Sequence, residues 1–386
     1  MDVAAPMVPP ADHRAASLSL KERWIGWRNR LLASPAFQEW ATRFPLTRPI
    51  AQARAGQLFG MATGFVYTQV LLAGVRLGLF TRLAEGPASY DQLGLHMGLN
   101  AEATRRLVKA AIALELVEPC GPDRVALAAL GASLVGTGGV IEMIEHHALL
   151  YADLADPVAL LRGEPGPRAL SHYWAYATDD DPAAVPPKSV TAYSALMAKS
   201  QAMIASHVLA AYDIRRHRQL MDVGGGEGVF LIEAARAAPD LRVTLFDLPA
   251  VAARAGQRFA TAGLSARAQA IGGSFRDGPL PTGADILSLV RVVHDHDDDV
   301  VCDLLAKAHA ALPPGGTLLL AEPMAETPGA AAMGDAYFGF YLMAMGSGRP
   351  RPPAELEAML RQAGFQSVRR HKSRQPLLVQ VMSATA

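Results

Sequence analysis

The run Asp222-Val223-Gly224-Gly225-Gly226-Glu227-Gly228 constrains this chain more than any other feature. A hydrophobic stretch leads into it, a helix-forming stretch follows, and Phe246-Asp247-Leu248-Pro249 ends the next apolar run. Strand, glycine turn, helix, then a second strand closed by a carboxylate is how an α/β sheet presents a site for an adenosine-containing cofactor. Gly224 and Gly226 allow the tight turn and the close approach of backbone to ligand. Asp247 stands about 20 residues further on, where a carboxylate accepts the ribose hydroxyls. The spacing departs from G-x-G-x-x-G, because the third glycine is Gly228 and the sixth position is Val229. A turn with fewer phosphate-cradling features suits S-adenosylmethionine (SAM), which carries no phosphate.

The segments around this run alternate. Strands are expected near 219–223, 242–246, 267–271, 285–290, 317–321 and 378–382, and helices near 229–238, 249–262, 298–312 and 353–363. That rhythm predicts a doubly wound sheet. Ligands of such sheets bind at the carboxyl ends of the strands. Gly224, Asp247, Gly273-Ser274-Phe275, Arg291-Val292-Val293-His294 and Glu322 all fall at those ends.

Ahead of the sheet the chain reads as helical from about Leu20 to Leu134. Two short amphipathic helices flank Met97-Gly98-Leu99-Asn100, with Asn100 as the N-cap of the second. Glu118 to Ala126 reads as a β-wing turning at Gly121-Pro122-Asp123, which completes a winged helix. Such a fold binds DNA or serves as a structural module. Lys+Arg and Asp+Glu balance at 36 each, and no basic arm accompanies the helix. Phosphate contacts need a basic surface, so no nucleic-acid partner is expected. A Pro/Asp-rich loop from Gly163 to Pro187 divides the chain, and a helix from about Thr191 to Ala211 leads into the sheet. The expected domains are a disordered tail (1–19), a helical domain (20–160), a linker loop and helix (161–205) and the cofactor domain (206–386).

Residues Ala55 to Val75 carry no charge and reach bilayer-spanning length. Gly56, Gly60 and Gly64 form a tandem small-residue face. Gln57, Thr63, Thr68 and Gln69 dilute the segment, so a buried helix packed closely on a partner is expected rather than a spanning one. The Ala/Pro-rich start lacks the basic and apolar regions of a secretory signal. Cys120 and Cys302 are isolated, without metal spacing, and fit a reducing cytoplasm.

The densest chemistry lies in His294-Asp295-His296-Asp297-Asp298-Asp299. One reading is a divalent-cation site. The other is an acid–base histidine followed by aspartates that cap the next helix. Adjacent residues rarely converge on one ion, so no metal is expected. Glu322, at the next strand end, is placed to fix the tautomer of His294. The aromatic, Met-rich segment Tyr337–Met345 is either core or an apolar roof over the crevice.

Together these residues resemble the class I SAM-dependent O-methyltransferases that carry an N-terminal dimerisation domain. The resemblance implies a Rossmann-like methyltransferase sheet, a winged-helix dimerisation domain and a homodimer. It implies SAM contacts from Gly224, Gly226, Asp247, Leu248, Ser274, Phe275, Arg291 and, by a looser match, Met197. His294-Asp295 matches the family's catalytic His-Asp, with His296 replacing the usual tryptophan. Glu322 matches one of two glutamates that flank that histidine in the plant enzymes. Pro350, in Gly348-Arg349-Pro350-Arg351, occupies the place of the second. Arg28–Pro35, Phe44–Pro49 and Gly64–Gln69 look like the hydroxycarotenoid branch (hydroxyneurosporene/demethylspheroidene type) of purple phototrophic bacteria. That branch implies methylation of a tertiary 1-hydroxyl on an acyclic carotenoid, with His294 as general base. A carotenoid acceptor implies shallow contact with the inner photosynthetic membrane. Three other readings stay open: a phenolic or quinone acceptor on the same fold, a metal-dependent catechol enzyme, and a ligand-binding winged-helix regulator.

Overall fold

The computed structural model describes residues 19–173, 201–376 and 378–386. The chain divides into two units, one ending at Leu71 and one beginning at Leu72. In the first, Ser19 opens α1 (Leu20–Ala33) through a reciprocal capping box: its hydroxyl accepts from Glu22 N–H, and Glu22 accepts from Ser19 N–H at 2.7 Å. Ser34 ends α1 and caps α2 (Pro35–Arg43), whose first position is proline. Along α2 the Phe37 ring tilts against Trp40 at 5.5 Å between centroids, and Trp40 stacks on Phe44 at 5.1 Å.

Helix α3 (Arg48–Arg76) runs 29 residues. Here the structure corrects an expectation: the uncharged stretch is not buried within the chain. Leu58, Phe59, Met61 and Phe65 are exposed, and a side chain added at Gly56, Gly60 or Gly64 would meet nothing within 4 Å. Burial begins only at Leu72 and Gly74. The apolar residues of α3 run around too much of the helix for one intrachain neighbour to cover. Its length and hydropathy would suffice to cross a bilayer.

The second unit opens with α4 (Leu79–Ala84), β1 (Ala88–Ser89), α5 (Tyr90–Met97), α6 (Ala101–Ala113), β2 (Val117–Gly121) and β3 (Arg124–Leu127). Strands pair antiparallel in the order β1-β3-β2. This is the expected winged helix, with Asn100 Oδ1 accepting from Ala103 N–H at 2.8 Å. Helices α7 (Ala129–Gly136), α8 (Val140–Asp153), α9 (Pro157–Leu161) and α10 (Ala169–Tyr173) follow. The described part of the expected lead-in helix is α11 (Gln201–Ala211).

The seven-stranded sheet comprises β4 (Gln219–Val223), β5 (Arg242–Asp247), β6 (Ala268–Gly272), β7 (Ile286–Val290), β8 (Thr317–Glu322), β9 (Gln366–His371) and β10 (Gln380–Thr385). Its order is β6-β5-β4-β7-β8-β10-β9. The first five strands are parallel, and β10 runs antiparallel between β8 and β9. Strand β9 was not foreseen. Its sequence Gln-Ser-Val-Arg-Arg-His is polar because it is an edge, where charge blunts pairing with other chains.

Helices α12 (Val229–Ala237), α13 (Pro249–Thr261), α14 (Asp298–Ala311), α15 (Phe338–Met345) and α16 (Pro353–Gln362) complete the unit, α15 continuing a π-helical stretch at Ala332–Tyr337. Successive strand residues enter opposite cores: Leu220 and Ile286 pack in one, Met221 and Leu287 in the other. Cover on both faces explains why β7 is buried throughout. Strand order reverses between β4 and β7, so the crevice opens beyond their carboxyl ends.

Candidate active site

The glycine turn stands at that reversal. Gly224, Gly226 and Gly228 have φ of +69°, +59° and +75°, backbone that favours glycine. Gly225 was passed over in the sequence, yet it is tightly enclosed. A Cβ there would lie 2.2 Å from Asp222 Oδ2 and 2.7 Å from Leu245 Cδ1. At Gly226 the same probe meets open space.

Asp247 Oδ2 accepts from Gly226 N–H at 2.8 Å, and Oδ1 from Leu248 N–H at 2.7 Å. Burial pushes its pKa up to about 6, against those two N–H donors. Asp222 is fully buried, and burial raises it to about 7 although Ser288 donates its hydroxyl to Oδ1 at 2.6 Å. Asp222 Oδ2 has no hydrogen-bond partner. Two carboxylates with spare acceptor capacity beside a glycine turn fit a ligand rich in hydroxyl and ammonium donors, as SAM is.

Leu248 precedes Pro249 as the N-cap of α13. Ser274 accepts from Arg276 N–H at 3.1 Å, while the Phe275 ring meets His296 edge-on at 5.2 Å. Arg291 has a φ of +58° and donates its N–H to Ala321 at 2.8 Å. A non-glycine residue held there costs of order 1 kcal/mol and turns the chain sharply after β7. Met197 lies outside the described residues.

That turn delivers His294, in a short 3-10 stretch at Val293–Asp295. Nδ1 lies 2.5 Å from Glu322 Oε2, and Nε2 lies 3.0 Å from Asp295 Oδ1. The second contact is an ion pair off hydrogen-bond alignment, so Asp295 Oδ1 lacks an aligned donor. Glu322 Oε1 accepts from Val292 and Val293 N–H at 2.9 and 2.8 Å. Burial pulls the imidazolium pKa down, but Asp295 and Glu322 more than reverse it, raising His294 to about 9. Phe338 meets the ring edge-on at 5.8 Å.

The aspartate run opens α14 as expected, with Asp298 and Asp299 in its first turn, but without the expected capping hydrogen bond. Asp297 holds the N-cap position without a side-chain cap bond, and its Oδ1 accepts from Gly348 N–H at 2.9 Å. Asp298 pairs with Arg349 and Arg351 at 2.8 and 2.6 Å. These carboxylates are drawn off by the loop that packs behind His294. Arg351, missed in the sequence, is the largest fully buried side chain among the described residues. It donates to the Val293 and His296 carbonyls at 2.8 and 2.9 Å, pinning both sides of the turn that carries His294. The signal in the sequence is the pair of arginines in Gly348-Arg349-Pro350-Arg351, one on each side of the proline.

The Tyr337–Met345 segment is both core and roof. Leu342, Ala344 and Met345 pack with Leu150, Leu160 and Leu170, while Phe338 faces His294. Tyr337 and Tyr341 hydrogen-bond His147 and His146 of α8, each at 2.8 Å. Burial, helped by neighbouring His147, lowers His146 to about 4, and burial lowers His147 too. Both are neutral at pH 7, which suits an apolar wall.

Comparison with known proteins agrees with this geometry. Residues 151–366 match the O-methyltransferase domain family, and residues 59–137 match the O-methyltransferase dimerisation domain. The chain is 40% identical over 355 residues to demethylspheroidene O-methyltransferase of Cereibacter sphaeroides, covering 92% of this chain and 93% of the relative. It is 41% identical over 361 residues to the enzyme of the same name from Rhodobacter capsulatus, covering 93% and 89%. Human N-acetylserotonin methyltransferase in complex with SAM superimposes with a TM-score of 0.72 at 22% identity, over 86% of this chain and 97% of that one. The mitomycin 7-O-methyltransferase MmcR gives 0.71 at 25% identity, over 88% and 100%.

Proposed function

The chain belongs to the SAM-dependent O-methyltransferases with an N-terminal dimerisation domain, and on that premise we propose that its methyl acceptor is the tertiary 1-hydroxyl of an acyclic hydroxycarotenoid. The observation that carries this reading is the 40% identity, over 92% of the chain, to an enzyme named for demethylspheroidene. The neutral, aromatic wall around Phe338 and Tyr337 supports it, since it offers an elongated apolar acceptor contact without charge. The dimerisation match supports a homodimer. On this reading the enzyme works from the cytoplasm, in peripheral contact with the membrane that holds its acceptor.

SAM supplies the electrophilic methyl group and a positive charge that disappears on transfer. His294 acts as general base at Nε2, after the acceptor hydroxyl takes the place of Asp295 there. Glu322 keeps the other proton on Nδ1 and stabilises the imidazolium that forms. Asp295 remains close enough to share that charge. Asp247 and Asp222 anchor the cofactor, with Gly224, Gly226, Leu248, Ser274, Phe275 and Arg291 shaping its crevice. A tertiary alcohol is far less acidic than a phenol, so proton removal runs late or together with methyl transfer. Base assistance then contributes about 10²–10⁴-fold, beside the larger gain from alignment.

Purified protein with labelled SAM, offered 1-hydroxyneurosporene in detergent and caffeate in parallel, each with and without EDTA, tests the reading. Label in the carotenoid alone, indifferent to EDTA, is the expected result. Label only in caffeate overturns the acceptor.

A further inference from the structure

Helix α1 has no buried residue among those described. At 100° per residue, Leu20, Trp24, Trp27 and Leu31 fall within an arc of about 60°. Lys21 and Arg28 stand about 70–90° to one side of that stripe, and Arg23 and Arg30 about as far to the other. Glu22 lies opposite, tied into the N-terminal capping box. Trp24 and Trp27 are 55% and 56% exposed, and the Arg28 guanidinium lies 5.2 Å over the Trp24 ring. Helix α2 continues the pattern with exposed Trp40 and Phe44, followed by Leu46 and flanked by Arg43 and Arg48.

From Leu20 to Arg48 the chain carries six basic side chains (Lys21, Arg23, Arg28, Arg30, Arg43, Arg48) against two acidic ones (Glu22, Glu39). The whole chain balances at 36 each, so the remainder is net acidic and the cations are concentrated here. A tryptophan stripe bordered by cations on both sides matches the boundary between acyl chains and headgroups. The indole body sits at that level while arginines extend outward to phosphates. A second copy of the chain fits less well. A two-fold contact would set the basic flanks of two copies together, and the dimerisation match begins at residue 59, beyond both helices.

We propose that α1 and α2 form an in-plane anchor that seats the enzyme on an anionic bilayer surface. The anchor refines the reading of a lipid-borne acceptor, but its test needs no acceptor. Full-length protein is floated with vesicles of phosphatidylcholine alone or with about one-third phosphatidylglycerol, at low salt and at about 1 M, where screening shrinks to about 3 Å. Binding should require the anionic lipid and fall at least tenfold in high salt. Each basic residue near an anionic surface contributes about fivefold, so Arg23→Gln/Arg28→Gln/Arg30→Gln should weaken binding roughly 10²-fold. Trp24→Ser/Trp27→Ser should weaken it at least tenfold. In both variants the dimer mass and SAM affinity should be unchanged, which separates the effect from misfolding.

Equal binding to both vesicle types, or variants that float like the parent, overturns the anchor. Loss of the dimer in the tryptophan variant with vesicle binding retained assigns the stripe to a second copy and also overturns it. Carotenoid labelling without vesicle binding removes the anchor alone. Vesicle binding with label only in caffeate removes the acceptor reading and leaves the anchor standing.

Discussion

His294 and Glu322 are joined at 2.5 Å through Nδ1, and the other oxygen of Glu322 already holds two backbone N–H groups of the histidine's own turn. One carboxylate therefore sets both the position and the protonation of the ring. A glutamine cannot do both. With its oxygen on Val292 and Val293, its amide donors face Nδ1 and drive the proton to Nε2, the wrong nitrogen for a base. Glu322→Gln should lower kcat at least 10²-fold, with SAM affinity, read by calorimetry, within about threefold. His294→Ala should lose a similar factor with SAM binding nearly intact. Turnover unchanged in either variant removes this pair from the mechanism.

The ion pairs of His294 set a pH signature. The raised pKa, about 9, means that the free enzyme holds the ring protonated at pH 7. Only the neutral ring can serve as base, so kcat/KM should climb with pH up to about 9. The limb in kcat should lie lower, because bound SAM adds a positive charge that disfavours the imidazolium. For stability the sign is opposite. A folded pKa above the ordinary 6.5 stabilises fully below pH 6.5, and the contribution is lost as pH rises through 9. The fall in Tm between those limits should be smaller in His294→Gln.

Asp222 and Asp247 titrate in a different window. Their folded pKa values, about 7 and 6, exceed the ordinary 3.8. Their stabilising contribution is present below that value and lost as pH rises through 6 to 7. A ligand that donates to the carboxylates recovers the loss, so the Tm gain on adding SAM should be larger at pH 8 than at pH 5. Asp247→Ala should weaken SAM at least tenfold and flatten that difference. Equal SAM-induced shifts at both pH values count against the assignment.

The loop behind the histidine should be intolerant of small changes. A Cβ on Gly348 would lie 2.1 Å from the His294 carbonyl oxygen, and its φ is +79°. Gly348→Ala should cost about 2–4 kcal/mol by denaturant unfolding and reduce kcat. Arg351→Met removes the donors to Val293 and His296 and should cost about 2–3 kcal/mol. A stability loss without any change in kcat would show that the loop supports the fold and not the turn.

The parallel strands and their helices were legible because strand ends carry their own signals: Gly224, Asp247, His294 and Glu322 each follow an apolar run. Strand β9 was hidden because an edge must be polar, and polarity reads as loop. The exposure of α3 was hidden for the converse reason. Apolarity reports that a face will be covered, not by which chain. Local spacing put His294 and Glu322 at successive strand ends, where they meet, but Arg351 reaches that turn across 58 residues, a pairing that no short-range pattern encodes. The aspartates were legible as a helix start but not in their bonding, because the donors to Asp297 and Asp298 arrive from the distant Gly348–Arg351 loop.

The π-helical stretch at Ala332–Tyr337 acts as a register setting. It fixes which way the following helix faces, so that Phe338 meets His294 while Tyr337 and Tyr341 meet the α8 histidines. Rewinding the same residues as an ordinary α-helix would turn everything after it by about 100°. The rings presented to the histidine would then be reassigned at one stroke, with the glycine turn, Asp247 and Glu322 untouched. The winding of a single short stretch therefore decides which rings face His294, while the glycine turn, Asp247 and Glu322 stay as they are.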